Sequence, residues 1–373
     1  MADLLTPTLE RTTMSTSKPG GMGTLDAAIL ERIFNVLAPK KLAPHKRLVP
    51  LLRVNRHWRA LVQQRLYTAI SLKGQWVSRP LRKTLDKNPA LAALVTELVM
   101  DTELSSQDPK ETVDHMRIVA ACPNIQHLTI LGYASAEVEK YQAAIASRAS
   151  LVTLNLSEGS GMFTFAQLLE MLPGWPKLEK LILKDTLLPS DSGAPVSATP
   201  GTHCPLLKMV KIIDTLDETK HFSFSAFAAL APSVSVFWVQ PQRTMPADVI
   251  DALRIWASTL EALCLLSDSE LHIETILPQL AALKHLDTWS QMLSPLSVKY
   301  VPPSVEVLTY RIFPAQLLDL SETLALPGVL PGLRALEVKG AIPPGRLTPM
   351  SFTPTATQSI RTVCKRRRIR LTM

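Results

Sequence analysis

From about residue 90 onward, one spacing of apolar residues recurs: apolar, two free positions, apolar, one free position, apolar. It occurs at Val95/Leu98/Met100, Ile125/Leu128/Ile130, Leu151/Leu154/Leu156 and Leu178/Leu181/Leu183. It continues at Leu207/Val210/Ile212, Val234/Phe237/Val239 and Leu260/Leu263/Leu265. Leu283/Leu286 is a degenerate copy, and Val305/Leu308/Tyr310 and Leu333/Leu336/Val338 close the series. The last two apolar positions of each copy are two residues apart, the period of a strand with one buried face. Between copies lie stretches of helical character at 113–120, 165–172, 222–230 and 247–256. Such a unit cannot bury its apolar side alone, so stacked units form the core. Residues 358–373 read as a last helix (Ile360, Val363, Cys364) and a last strand (Ile369, Leu371). The solenoid is therefore expected over 73–373. Turn-rich loops are expected at 159–161 and 189–202.

Residues 24–72 follow a different pattern. Leu25, Ile29, Ile33, Phe34 and Leu37 recur at helical spacing behind a Thr24 cap, and Pro39 ends the run. After a loop at 40–46, a second helix is expected over 48–66. It would bury Leu51, Leu52, Val54, Trp58, Leu61 and Val62 and leave Arg53, Arg56 and Arg59 wet. Residues 67–72 alternate like a strand. Residues 1–23 are rich in Ser, Thr, Pro and Gly and are read as a disordered tail.

Both parts resemble known families. The repeat resembles the leucine-rich repeat, which implies an α/β horseshoe. In the first module, Leu25-Asp26-Ala27-Ala28-Ile29-Leu30, Ile33-Phe34-x-x-Leu37 and Val54-Asn55-Arg56-His57-Trp58-Arg59 resemble the F-box. Asp26, Ala28 and Asn55 stand where that motif usually has Pro, Glu and Cys. The fold expected is thus α/β: a small helical F-box-like module (24–72), then a leucine-rich-repeat horseshoe. The resemblance implies a substrate receptor of an SCF-type ubiquitin ligase. In that reading the module docks on a Skp-family adaptor, and through it a cullin, by Leu25, Ile29, Leu30, Ile33, Phe34, Leu37, Val54 and Trp58. The second reading is a repeat scaffold for protein interactions with no ligase role.

Strand alternation places the free positions on the concave face. These are Thr129, Asn155, Ile182, Lys211, Trp238, Cys264, Asp287, Thr309 and Glu337, with Lys184, Gln240, Trp289, Arg311 and Lys339 beside them. A concave strand face needs no large aromatic for stability. Trp238 and Trp289, with Lys184, Lys211, Gln240 and Arg311, are the expected anchors for a protein substrate. A one-residue slip in register would turn either tryptophan inward.

Composition narrows the chemistry. Of 373 residues, 40 are Lys or Arg and 32 Asp or Glu, a net charge of +8. The excess is spread out, concentrating only at 40–59 and 365–370, so a nucleic-acid partner is not expected. Lys365 to Arg368 reads as charge closing a helix, ahead of a nuclear import signal. Cys122, Cys204, Cys264 and Cys364 lack the spacing of a metal site or disulfide scaffold, so reduced thiols in cytoplasm or nucleus are expected. No GxSxG, P-loop or HExxH occurs. Neither enzymatic activity nor a cofactor is expected, and no membrane span or signal segment is read.

Overall fold

The computed structural model describes residues 27–37, 48–73, 78–101, 109–132, 138–157, 163–185, 187–188, 204–214, 223–241, 248–267, 271–341 and 351–373. The expected tail at 1–23 and the loops at 40–46, 159–161 and 189–202 lie outside these residues, as does Leu25.

Helix α1 is Ala27–Leu37 and helix α2 is Arg56–Thr68. They frame a small core of Leu30, Phe34, Leu48 and Val62, separate from the solenoid core. The expected single helix over 48–66 is broken. Val49–Arg53 forms a 3-10 turn, then Asn55 adopts an extended backbone and its side chain accepts the Trp58 N–H at 2.9 Å. A side-chain oxygen capping a helix start satisfies an otherwise orphaned donor, worth about 1 kcal/mol. The residue departing from the F-box pattern is therefore the helix cap. Strand β1, Ala69–Lys73, follows α2 directly, starting two residues later than the alternation predicts.

The solenoid strands are β2 (Glu97–Asp101), β3 (His127–Leu131), β4 (Thr153–Ser157), β5 (Lys180–Lys184), β6 (Met209–Asp214) and β7 (Val236–Pro241). They continue as β8 (Ala262–Leu265), β9 (His285–Trp289), β10 (Val307–Ile312), β11 (Ala335–Gly340) and β12 (Arg370–Thr372). With β1 they make one parallel sheet of 12 strands in strict sequence order. Each strand pairs only with the repeat before and after, as a solenoid requires. The degenerate copy forms a full strand, with Thr288, wholly buried, where other repeats place a third apolar residue.

Stacking is fastened by a recurrent bond. Two successive N–H groups entering each of β3 to β11 share one carbonyl of the previous repeat. Val152 and Thr153 donate to Gln126 O at 2.7 and 2.9 Å, and Ser235 and Val236 to Lys208 O at 2.8 and 2.9 Å. Behind the sheet the core runs unbroken from Leu72 to Ile369. Helices cover its far side where the sequence predicts them, at Pro109–Ala121, Phe165–Met171, Phe224–Leu230 and Val249–Ile255. Around β8 to β10 the connections tighten into 3-10 turns at Leu277–Gln279 and Pro295–Tyr300. Buried indoles staple repeats together: Trp175 Nε1 donates to Ile145 O at 3.1 Å and Trp256 Nε1 to Ala231 O at 2.8 Å.

The two ends are tied to this frame. At the first, Tyr67 and Ile70 pack on the solenoid core and Thr96 N donates to Thr68 O at 3.0 Å. At the last, helix α3 (Pro354–Arg367) buries Ala356, Ile360 and Cys364.

Candidate functional site

Two surfaces bear on function. On the helical module, Leu30 and Phe34 are 0% and 3% exposed. Expected from the motif to be docking residues, they are interior, packed with Leu48 and Val62 in the core between α1 and α2. Trp58 is half-buried, its ring edge-on to Phe34 at 5.8 Å. Ile33 is also half-buried. Ile29 and Val54 are 47% and 54% exposed, and Val36, which the motif does not single out, is 80% exposed. Val54, expected to be buried, is turned out by the break before α2. The signal for Val36 was present: Ile29, Ile33 and Val36 follow i, i+4, i+7, a second stripe beside the core stripe. Helix α1 includes Leu37, but its side chain lies outside the described residues, as Leu25 does entirely.

The concave face has the expected register. Val99, Thr129, Asn155, Ile182, Lys211, Trp238, Cys264, Asp287, Thr309 and Glu337 are successive partners across the sheet. No slip turns the tryptophans inward. A second row carries Lys184 and Gln240 at one part and Trp289, Arg311 and Lys339 at another. At about 4.8 Å per strand, Lys184 and Arg311 stand roughly 24 Å apart. The six expected anchors thus lie along one limb rather than in one pocket. Gln240 is exposed; Lys184, Lys211, Trp238, Trp289 and Arg311 are half-buried.

Local contacts sort these residues into two groups. Lys211 Nζ sits 3.8 Å from the Trp238 ring centroid, a cation over an aromatic face. Around β9, Arg311 Nη2 lies 3.6 Å from Asp287 Oδ2, and Cys264 is the register neighbour of Asp287 on β8. Burial pushes the Asp287 carboxyl up; Arg311, the Cys264 contact and Lys339 pull it back without cancelling the effect. Further along, Glu337 accepts from Thr309 at 3.2 Å and meets Lys339 at 3.2 Å.

Asp287 was placed on the concave face by alternation but not among the expected anchors. It is a carboxylate placed among two indoles, a thiol and a guanidinium. Its Oδ1, Arg311 Nε and the Nε1 donors of Trp238 and Trp289 are all shielded from solvent without a hydrogen-bond partner. Cys264 is 6% exposed, so it supports this layer rather than presenting a thiol.

Among the described residues there is no cluster of three or more His, Cys, Asp or Glu that could hold a metal ion. Among the same residues, no helix is long and apolar enough to cross a membrane. No family profile matches the chain, and no curated protein matches it. Among solved structures it is similar to an internalin from Listeria monocytogenes, at 13% identity and a TM-score of 0.45, over 93% of this chain and 94% of that one.

Proposed function

We propose that this protein is a two-surface recognition subunit. Its helical module docks on a Skp-family adaptor and, through a cullin, joins an SCF-type ubiquitin ligase. Its concave face holds the protein to be modified, and the chain itself performs no chemistry. The observation that carries this reading is the module's division of labour. Leu30, Phe34, Leu48 and Val62 complete its own core, yet Ile29, Val36 and Val54 stay exposed. Apolar side chains left out on so small a unit suit a partner surface.

The geometry also favours delivery. Helix α2 runs straight into β1, and its last residue, Thr68, accepts the Thr96 N–H just ahead of β2, which joins the two surfaces along the chain. A receptor of this kind acts by raising the local concentration of its client near the modifying enzyme. On the concave side, Trp238, Trp289, Arg311, Lys211, Gln240 and Lys184 are the client contacts in this reading, and aromatic and arginine side chains are the usual energetic centres of such contacts. Affinity capture with a purified Skp-family adaptor tests the docking half. Wild type binds; Ile29→Asp and Val54→Asp, both at exposed positions, lose binding while retaining the native circular dichroism spectrum. Equal binding by wild type and both variants would refute the adaptor role and leave a repeat scaffold with no ligase function.

A further inference from the structure

The end of the solenoid is strongly basic, and its charge is held in place. Arg361, Lys365, Arg366, Arg368 and Arg370 are all exposed within ten residues of chain. None of them has an acidic partner among the described residues, whereas Arg334, in the neighbouring repeat, is paired with Glu306 at 3.3 Å. These five side chains make up a large part of the net +8.

The sixth basic residue of the run, Arg367, does a different job. It donates to the carbonyls of Leu324, Val329 and Leu330 at 2.7, 2.6 and 2.6 Å. Arg368 then takes a left-handed backbone (φ 60°), and Ile369 N bonds back to Cys364 O at 2.8 Å. These bonds fix the helix end and strand β12. The segment 365–368 is thus folded into a cap, not presented as an extended basic peptide, which disfavours its use as a linear import signal.

Among the described residues β12 is an edge strand of the sheet, paired with β11 alone. Arg370 N donates toward β11, to Arg334 O at 2.9 Å. Strand alternation therefore turns the Leu371 N–H and C=O to the open edge.

We infer that this cap is a docking face for a short, extended acidic protein segment. Charge complementarity sets the sign of the partner. The open edge supplies main-chain groups that an extended chain can pair with, and guanidinium groups bind carboxylates in bidentate fashion. Size favours a peptide over a duplex. From Arg361 to Arg366 the helix rises only about 7.5 Å, a span that two or three residues of extended chain match, at about 3.3 Å each. Duplex binders commonly engage roughly 6–10 phosphates, more than five cations on one short cap supply.

Fluorescence anisotropy on the full chain tests the inference, with three labelled probes: a ten-residue Asp/Glu peptide, its Asn/Gln counterpart and a 20-base-pair DNA duplex. The acidic peptide binds, the neutral one does not, and the duplex binds more weakly than the acidic peptide. The combined variant Lys365→Glu/Arg366→Glu/Arg370→Glu weakens acidic-peptide binding at least tenfold, and Leu371→Pro, which removes the outward N–H, weakens it severalfold. Arg254→Glu, an exposed change on another helix, leaves it unchanged. Unchanged affinity in the triple variant, equal weakening by Arg254→Glu, or tighter binding of the duplex would overturn the inference. Adaptor capture by the triple variant is expected to match wild type, which separates this surface from the helical module.

Discussion

Arg367→Ala isolates the contact that locks the C-terminal cap. The guanidinium serves three carbonyls, but two of them, Val329 and Leu330, share one nitrogen. It therefore counts as about two strong bonds. A hydrogen bond from a charged group is worth about 1.5–3 kcal/mol net, so the fork contributes on the order of 3–5 kcal/mol. Relief of repulsion among exposed neighbouring cations offsets only a few tenths of a kcal/mol, because water screens them. The loss falls on a loop that contains Leu330, a buried residue with a left-handed backbone (φ 46°), so Leu326 to Pro331 should loosen with the cap. Urea denaturation gives the total, and amide hydrogen exchange locates it. Exchange is expected to rise first in α3, β12 and residues 324–331, with β2 to β7 retaining their protection, because coupling in a solenoid is between neighbours. Arg367→Lys keeps the charge without the fork and should recover about a third. A loss below about 1 kcal/mol, or uniform exchange along the chain, would refute this account of the cap.

Other consequences are as specific. Trp256→Phe should cost about 1–2 kcal/mol through the lost bond to Ala231 O, and Trp256→Ala about 3–5 kcal/mol because the ring is wholly buried beside Phe237; thermal melts with equilibrium urea curves check the order. Asp287 has a folded-state carboxyl raised above its ordinary value by burial, so its ionisation opposes folding. That cost is complete above the raised value and disappears as pH falls below about 4. Asp287→Asn should accordingly be the more stable protein at pH 7 and lose that advantage on acidification. All four thiols are buried, with burial pushing Cys122 up to about 12 and Cys204 to about 11; a thiol reagent should titrate almost none in native protein and all four after denaturation.

Much of this was legible in the sequence because a solenoid repeats its signal. Ten copies of one spacing fix the strands and, by alternation, the concave row from Thr129 to Glu337. The degenerate copy was read from Leu283 and Leu286 alone; in the structure buried Thr288 fills its third apolar position. The first module was harder. The spacing of Leu51 to Leu66 suits one helix, but Asn55 caps better than it continues, and the resulting break turns Val54 outward. Leu30 and Phe34 match the docking motif, yet they are buried with Leu48 and Val62 in the small core. Strand alternation put Cys264, Asp287 and Arg311 on one face, but spacing along separate repeats does not say which of them pair.

The central claim is that one chain carries two independent binding surfaces. The direct measurement is quantitative affinity purification from cells, with mass spectrometry of co-purifying proteins, for wild type, Ile29→Asp/Val54→Asp and Trp238→Ala/Trp289→Ala. Wild type is predicted to bring down a Skp-family adaptor, a cullin and at least one client. The module variant should lose adaptor and cullin but keep the client, and the concave variant should do the reverse. Loss of both sets in either folded variant, or retention of both in each, would contradict the account.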